Sequence, residues 1–201
     1  MTDATHLREL YPAPNERAVR KQLDLLDIHC RRFIELSPFL VMASVAAGTD
    51  GPLDASPRGG APGFVKALDA TTLLVPDAPG NNRLDSLSNI VATERVGLLF
   101  LVPGIDETLR VNGAAQVSDD PALLALFTGE RHLPRVVIRV AVQQAYLHCA
   151  KAFMRSRLWS AAAQVERSAL PTIGRMINDQ IGLTAPAETQ DEMLARYAKD
   201  L

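Results

Sequence analysis

The chain has 201 residues, which suits one compact domain with extensions and allows a sizeable buried core. Hydrophobic residues make up 47%, charged residues 22%, and the net charge is −2, so the lopsided charge of a nucleic-acid or membrane-surface binder is absent. No apolar run approaches the roughly 18 residues of a membrane span, "MTDATHLREL" lacks the basic-then-apolar order of a signal peptide, and Cys30 and Cys149 make neither a disulfide framework nor a zinc site, which points to a reducing cytoplasm.

Residues 15 to 36 read as one helix. Asn15 is its N-cap, Val19, Leu23, Leu26, Cys30 and Phe33 form an apolar stripe, and Pro38 fits the stop. "FLVMASVAAG" (39 to 48) reads as a buried strand. "TDG" (49 to 51) is a hairpin signal, because Asp-Gly tolerates positive φ. In "PLDASPRGG" (52 to 60), Leu53, Ala55 and Pro57 alternate with Asp54, Ser56 and Arg58, giving a two-faced strand whose proline belongs at a sheet edge, a bulge or a strand end.

"TTLLVPD" (71 to 77) is a third strand. Leu84, Leu87, Ile90 and Val91 then give a short amphipathic helix beginning near Asn81 or Asn82. "RVGLLFLVPG" (95 to 104) and "ETLRVNGAAQVS" (107 to 118) are the fourth and fifth strands. "DDPALLALF" is a helix capped by Asp119 or Asp120 with Pro121 at its first position. "PRVVIRVAVQQAYLHC" (134 to 149) is the sixth strand. Beyond it, "SAAAQVERSALP", "TIGRMINDQIG" and "AETQDEMLARYAKDL" read as helices. Consecutive strands joined by turns, with helices inserted and appended, favour a mainly β antiparallel barrel or sheet with peripheral helices over a βαβ fold.

The chemistry-bearing positions gather at strand ends. In "DAPGNNRLDSLSNI" (77 to 90) a turn delivers Arg83 to the first turn of a helix, where acidic residues are preferred. A phosphate held by the helix N-terminus and the guanidinium explains that placement; a solvated arginine beside a capped helix is the plainer account. Arg58 in "SPRGG" and Arg110 in "LRVNG" divide between pocket-lining and solvent-facing readings in the same way. "YLHCAKAFMRSRLW" (146 to 159) offers His148, Cys149, Lys151 and Trp159 without zinc spacing. No Rossmann or Walker fingerprint and no G-x-S-x-G sequence occurs. Basic groups at strand ends without a self-contained catalytic set suit an anionic cofactor that brings its own chemistry.

In order and spacing, "FLVMASVAAGTDGPLDASPRGG", "TLLVPDAPGNNRLDSLSNI", "LRVNGAAQVS" and "AYLHCAKAFMRSRLW" resemble the FMN-dependent branch of the pyridoxamine 5′-phosphate oxidase-related proteins. The resemblance implies a six-stranded antiparallel split β-barrel of the FMN-binding type over residues 38 to 150. An N-terminal helical extension (1 to 37) and a C-terminal helical region (151 to 201) would complete a single domain. It implies a homodimer with one FMN in each of two clefts at the subunit interface.

By position, it puts Arg58 and Gly59 in the flavin cleft and runs Val75, Pro76 and Asp77 beside the isoalloxazine ring. Asn82 and Arg83 would hold the phosphate, helped by Ser86 and Asn89. Arg110 would complete the anionic end, and Lys151 and Trp159 would come from the partner subunit. The C-terminal region does not match the substrate-binding end of true pyridoxamine 5′-phosphate oxidases, so the substrate is left open. The family also contains haem-binding and deazaflavin-using members. The expectation is therefore an FMN-dependent oxidoreductase, with a non-catalytic flavin or haem carrier as the alternative and His148 as the candidate haem ligand.

Overall fold

The computed structural model describes residues 3–200, so the end of the expected terminal helix at Leu201 lies outside the described residues. The expected single helix over 15 to 36 is instead two. After α1 (Ala4–Leu10), α2 (Glu16–Arg20) is capped by Asn15, and α3 (Ile28–Leu36) is capped afresh by Asp27, whose carboxylate accepts from the Cys30 amide at 2.7 Å. Tertiary pairing breaks the helix: Leu23 bridges to Ala145, and the Leu26 amide donates to the Ala70 carbonyl at 2.7 Å. The apolar stripe survives only in part. Leu26 and Cys30 are buried, Phe33 is only half-buried with its neighbour Ile34 taking the core position, and Val19 is exposed.

The sheet strands are β1 (Phe39–Val45), β2 (Leu53–Gly59), β3 (Lys66–Ala67) and β4 (Thr72–Pro76), then α4 (Asp85–Thr93), β5 (Arg95–Leu101), β6 (Thr108–Ser118), α5 (Pro121–Leu124) and β7 (Val137–His148). All seven strands lie in one antiparallel sheet, in the order β2-β1-β5-β6-β7-β4-β3. This corrects the expected six-stranded barrel. A seventh, two-residue strand pairs with Leu73 and Leu74, and the edges β2 and β3 do not pair, so the sheet is not closed. Pro57 brings no N–H to the outer edge of β2, and β3 is too short to show a period in the sequence.

The β1–β2 hairpin closes as expected, but its left-handed residue is Gly48 (φ +100°) and not the Asp50–Gly51 pair. The long β6–β7 hairpin joins the two halves of the sheet: β6 pairs with β5 through Leu109–Ala114, and β7 pairs with β4 through Val137–Ala141. A register shift between Asn112 and Gly113 bends this hairpin. A Cβ at Gly113 would run into the Ala141 carbonyl, so the bend requires glycine there.

The sheet curls over a core of Leu40, Met42, Leu73, Val75, Leu98, Phe100, Leu109, Val111, Ile138 and Val140, closed by Leu26, Cys30 and Ile34 of α3 and Ile90 of α4. Phe127 packs with Leu74 and Val137 in a second, smaller cluster, placed by α5, which Asp120 caps. The C-terminal region holds α6 (Lys151–Ser156), α7 (Ile173–Ile181) and α8 (Gln190–Tyr197). The helix expected over 160 to 171 is only two single 3-10 turns. Among the described residues no helix is long and apolar enough to cross a membrane.

Candidate functional site

The edge strand β2 has an inverted pattern. Asp54, Ser56 and Arg58 are half-buried, whereas Leu53, Ala55 and Pro57 are exposed, Leu53 to 84%. At the end of β4, Val75 is buried and Pro76 and Asp77 are half-buried. Burial pushes the Asp77 carboxyl above its ordinary value, and the charges of Arg58 and Arg135 oppose that rise. The fold thus sets Arg58 and Arg135 near enough to Asp77 for their charges to act on it, although Arg58 Nη1 donates to the Pro57 carbonyl at 2.9 Å and, among the described residues, forms no ion pair with Asp77; Arg135 is a residue the sequence did not single out. The Asp77 amide donates to the Val136 carbonyl at 3.1 Å, which fixes Arg135 next to this end of the sheet. Gly59 ends β2 and is exposed.

From Asp77 the chain turns to α4 through two left-handed residues, Asn82 (φ 58°) and Leu84 (φ 61°). The Arg83 amide donates to Asn81 Oδ1 at 3.0 Å, an Asx turn. The helix starts at Asp85, not near Asn81 or Asn82, so Arg83 precedes the helix instead of occupying its first turn. Arg83 Nε donates to the Asp85 carboxylate at 2.7 Å, and its side chain is 72% exposed. The unfavourable helix-dipole placement that made Arg83 stand out therefore does not arise.

The N-terminus of α4 is nevertheless unusual. Side chains cap α1, α2, α3, α5, α7 and α8, but the N-cap of α4 is Leu84, which offers no side-chain bond. Ser86 is buried and donates to Asp54 at 2.5 Å, and Asn89 Nδ2 donates to Ser44 Oγ at 3.1 Å. These two bonds tie α4 to β1 and β2, so both side chains are engaged within the chain.

Among the described residues, Arg110, Lys151 and Trp159 form no hydrogen bond, ion pair or ring contact with this group. Arg110 Cζ lies 5.2 Å from the centroid of the Tyr146 ring. Trp159 stacks on Phe153 with centroids 5.5 Å apart, and its Nε1 donates to the Ile105 carbonyl at 2.9 Å. Both rings line an open depression of about 400 Å³ with Gly104, Asp106 and Arg157. Lys151 opens α6, another helix without a side-chain cap, and is exposed.

The outer face of the sheet carries a further signal. Pro57, Val41 and Leu99 lie side by side across β2, β1 and β5, and Ala55, Ala43 and Gly97 form the adjacent row. Neither row has a polar side chain, and the rows run out at Arg110 and Asn112 on β6.

A family model described as pyridoxamine 5′-phosphate oxidase matches residues 26–149. No curated protein matches the chain. Among solved structures, a variant of HupZ from Group A Streptococcus superposes with a TM-score of 0.51 at 15% identity, covering 61% of this chain and 99% of that one. The FAD binding protein from Mycobacterium smegmatis gives 0.43 at 16% identity, covering 63% and 97%. The General Stress Protein 26 from Bacillus anthracis gives 0.41 at 15% identity, covering 60% and 94%. The likeness to HupZ is one of fold.

Proposed function

The chain belongs to the pyridoxamine 5′-phosphate oxidase-related family, and from that membership we propose that it is an FMN-binding flavoprotein, acting as a homodimeric oxidoreductase on a small molecule. The observation that carries this reading is the uncapped N-terminus of α4, delivered by the Asn82–Leu84 turn to the polar row of β2. A helix N-terminus leaves backbone N–H groups unpaired and carries partial positive charge, a donor set that suits a phosphate monoester.

In this proposal the first amides of α4, the Asn82 side chain and the Arg83 guanidinium hold the phosphate. Arg83 exchanges its Asp85 partner for the ligand. Ser86 and Asn89 keep α4 seated on Asp54 and Ser44, and so act by holding the helix N-terminus in place. Pro76 and Asp77 line the ring with Val75 buried behind them in the core, and Arg58 and Arg135 balance the charge beside it. A bound flavin supplies the hydride or electron transfer. The apolar rows of the outer face are the surface on which a second copy would sit, and Lys151 and Trp159 would reach the cofactor across that boundary.

The test is a visible spectrum of the purified protein, followed by titration with FMN and riboflavin. A flavin spectrum, or tight uptake of FMN with much weaker uptake of riboflavin, supports the reading. A colourless protein that takes up neither overturns it. Stopped-flow mixing of the loaded protein with NADH or NADPH then separates an oxidoreductase, which is reduced and reoxidised by an acceptor, from a carrier, which is not.

A further inference from the structure

The second half of β7 has one edge that β4 does not reach, since β4 pairs only with Val137–Ala141. Residues 21 to 23 take that edge. Leu23 and Ala145 exchange two main-chain hydrogen bonds, at 2.9 and 2.8 Å, and Lys21 Nζ donates to the Leu147 carbonyl at 2.9 Å. This clip sets Lys21 against Tyr146, with Nζ 5.5 Å from the ring centroid. Arg110, the cross-strand partner of Tyr146, brings its guanidinium to 5.2 Å from the same ring. His148 follows Tyr146 by two residues on β7, a spacing that puts both on one face of the strand.

Two cations thus share one aromatic ring, and among the described residues neither forms an ion pair with a carboxylate. Glu16, the acidic residue lining the depression of about 380 Å³ beside Lys21, is paired with Arg20. Two positive charges without a carboxylate partner about one ring attract an anion to the space beside it. The His148 imidazole registers this field: burial, then Lys21, then Arg110 hold it below its ordinary value.

We propose that Lys21, Arg110 and His148, grouped around Tyr146, bind a small anion carrying a phosphate monoester or carboxylate group, at a site separate from the flavin phosphate. The guanidinium offers a planar pair of donors, the ammonium a point charge, and the imidazole a further donor, which protonates as the anion neutralises its neighbours. The site neither uses α4 nor rests on the flavin reading. It assigns Arg110 to this second anion.

The test titrates the full-length protein, as purified, with inorganic phosphate and separately with acetate at constant ionic strength. The His148 ring protons are followed by NMR, with His148→Gln identifying them among the four histidines. The expected result is a saturable response in which the His148 pKa rises by about one pH unit, as an opposite charge within contact range produces. The probe that responds names the group. Lys21→Met and Arg110→Met should each weaken that binding about tenfold, the loss of one charge-assisted bond, while FMN affinity stays unchanged in Lys21→Met. Circular dichroism confirms that each variant is folded. No saturable shift with either probe overturns the proposal. So does a loss of binding in Lys21→Met alone, which reports only the clip to Leu147, or a loss of FMN affinity in Lys21→Met.

Discussion

The Arg83 guanidinium and the Asp85 carboxylate meet at 2.7 Å across the boundary between the turn and α4. Both side chains are exposed, so solvent and salt screen the pair and it adds little to stability. Its consequence is for ligand binding, because Asp85 occupies the guanidinium and sets a negative charge beside the helix N-terminus. If that N-terminus holds the flavin phosphate, the two residues act with opposite sign. Arg83→Ala should weaken FMN about tenfold or more, the loss of a charge-assisted bond. Asp85→Asn should tighten it. Riboflavin, which lacks the phosphate, should respond to neither. Quenching of flavin fluorescence measures all three, and equal Kd values for FMN in the wild type and Arg83→Ala would remove Arg83 from the site.

Asp77 makes a pH-dependent prediction. Its carboxyl sits above the ordinary 3.8 in the folded chain, so between 3.8 and the folded value the native state holds a proton that the unfolded state has lost. Stability from this group therefore falls as pH rises through that window. Asp77→Asn removes the cost of ionising a half-buried acid. The variant should match the wild type near pH 4, gain on it as pH rises through that window, and keep the gain at pH 7, as read by urea denaturation. A variant less stable than the wild type at pH 7 would mean that attraction to Arg58 and Arg135 outweighs burial.

What the sequence reveals here is what is local. Asn15 and the Asp120–Pro121 pair cap their helices as their residue types suggest, because a cap involves a neighbour two or three positions along. The break between α2 and α3 is not legible, since the Leu23–Ala145 pairing that breaks the helix lies far along the chain. The start of α4 is displaced for a related reason: Leu84 adopts a left-handed conformation that its residue type does not announce. Arg135 looks like an ordinary arginine before a strand, and only the Asp77–Val136 hydrogen bond brings it to the candidate site.

Gly113 tests the bend in the β6–β7 hairpin. A methyl group there meets the Ala141 carbonyl across the sheet, and backbone cannot step aside as a flexible side chain can. Gly113→Ala should cost about 1–3 kcal/mol or more, the range for overpacking a tight site. Gly129→Ala is the control, because a Cβ at Gly129 meets nothing within 4 Å. Denaturant midpoints that fall equally in both variants would remove the steric account of the bend.

The outer face of the sheet makes the prediction that reaches furthest. Ala43 sits at the centre of the Ala55–Ala43–Gly97 row and is exposed in the single chain. Arginine at this position points into water in a monomer and harms the fold little. In a dimer packed on these rows it is a buried charge without a partner, which costs several kcal/mol. Ala43→Arg should therefore yield a folded monomer by light scattering, at concentrations where the proposal makes the wild type a dimer. FMN affinity should fall with the dimer, since Trp159 is engaged by Phe153 and the Ile105 carbonyl and the proposal has Lys151 and Trp159 cover the cofactor from a second copy. A dimeric Ala43→Arg protein would place the interface elsewhere. A monomer with wild-type FMN affinity would show that the cofactor site is complete in one chain.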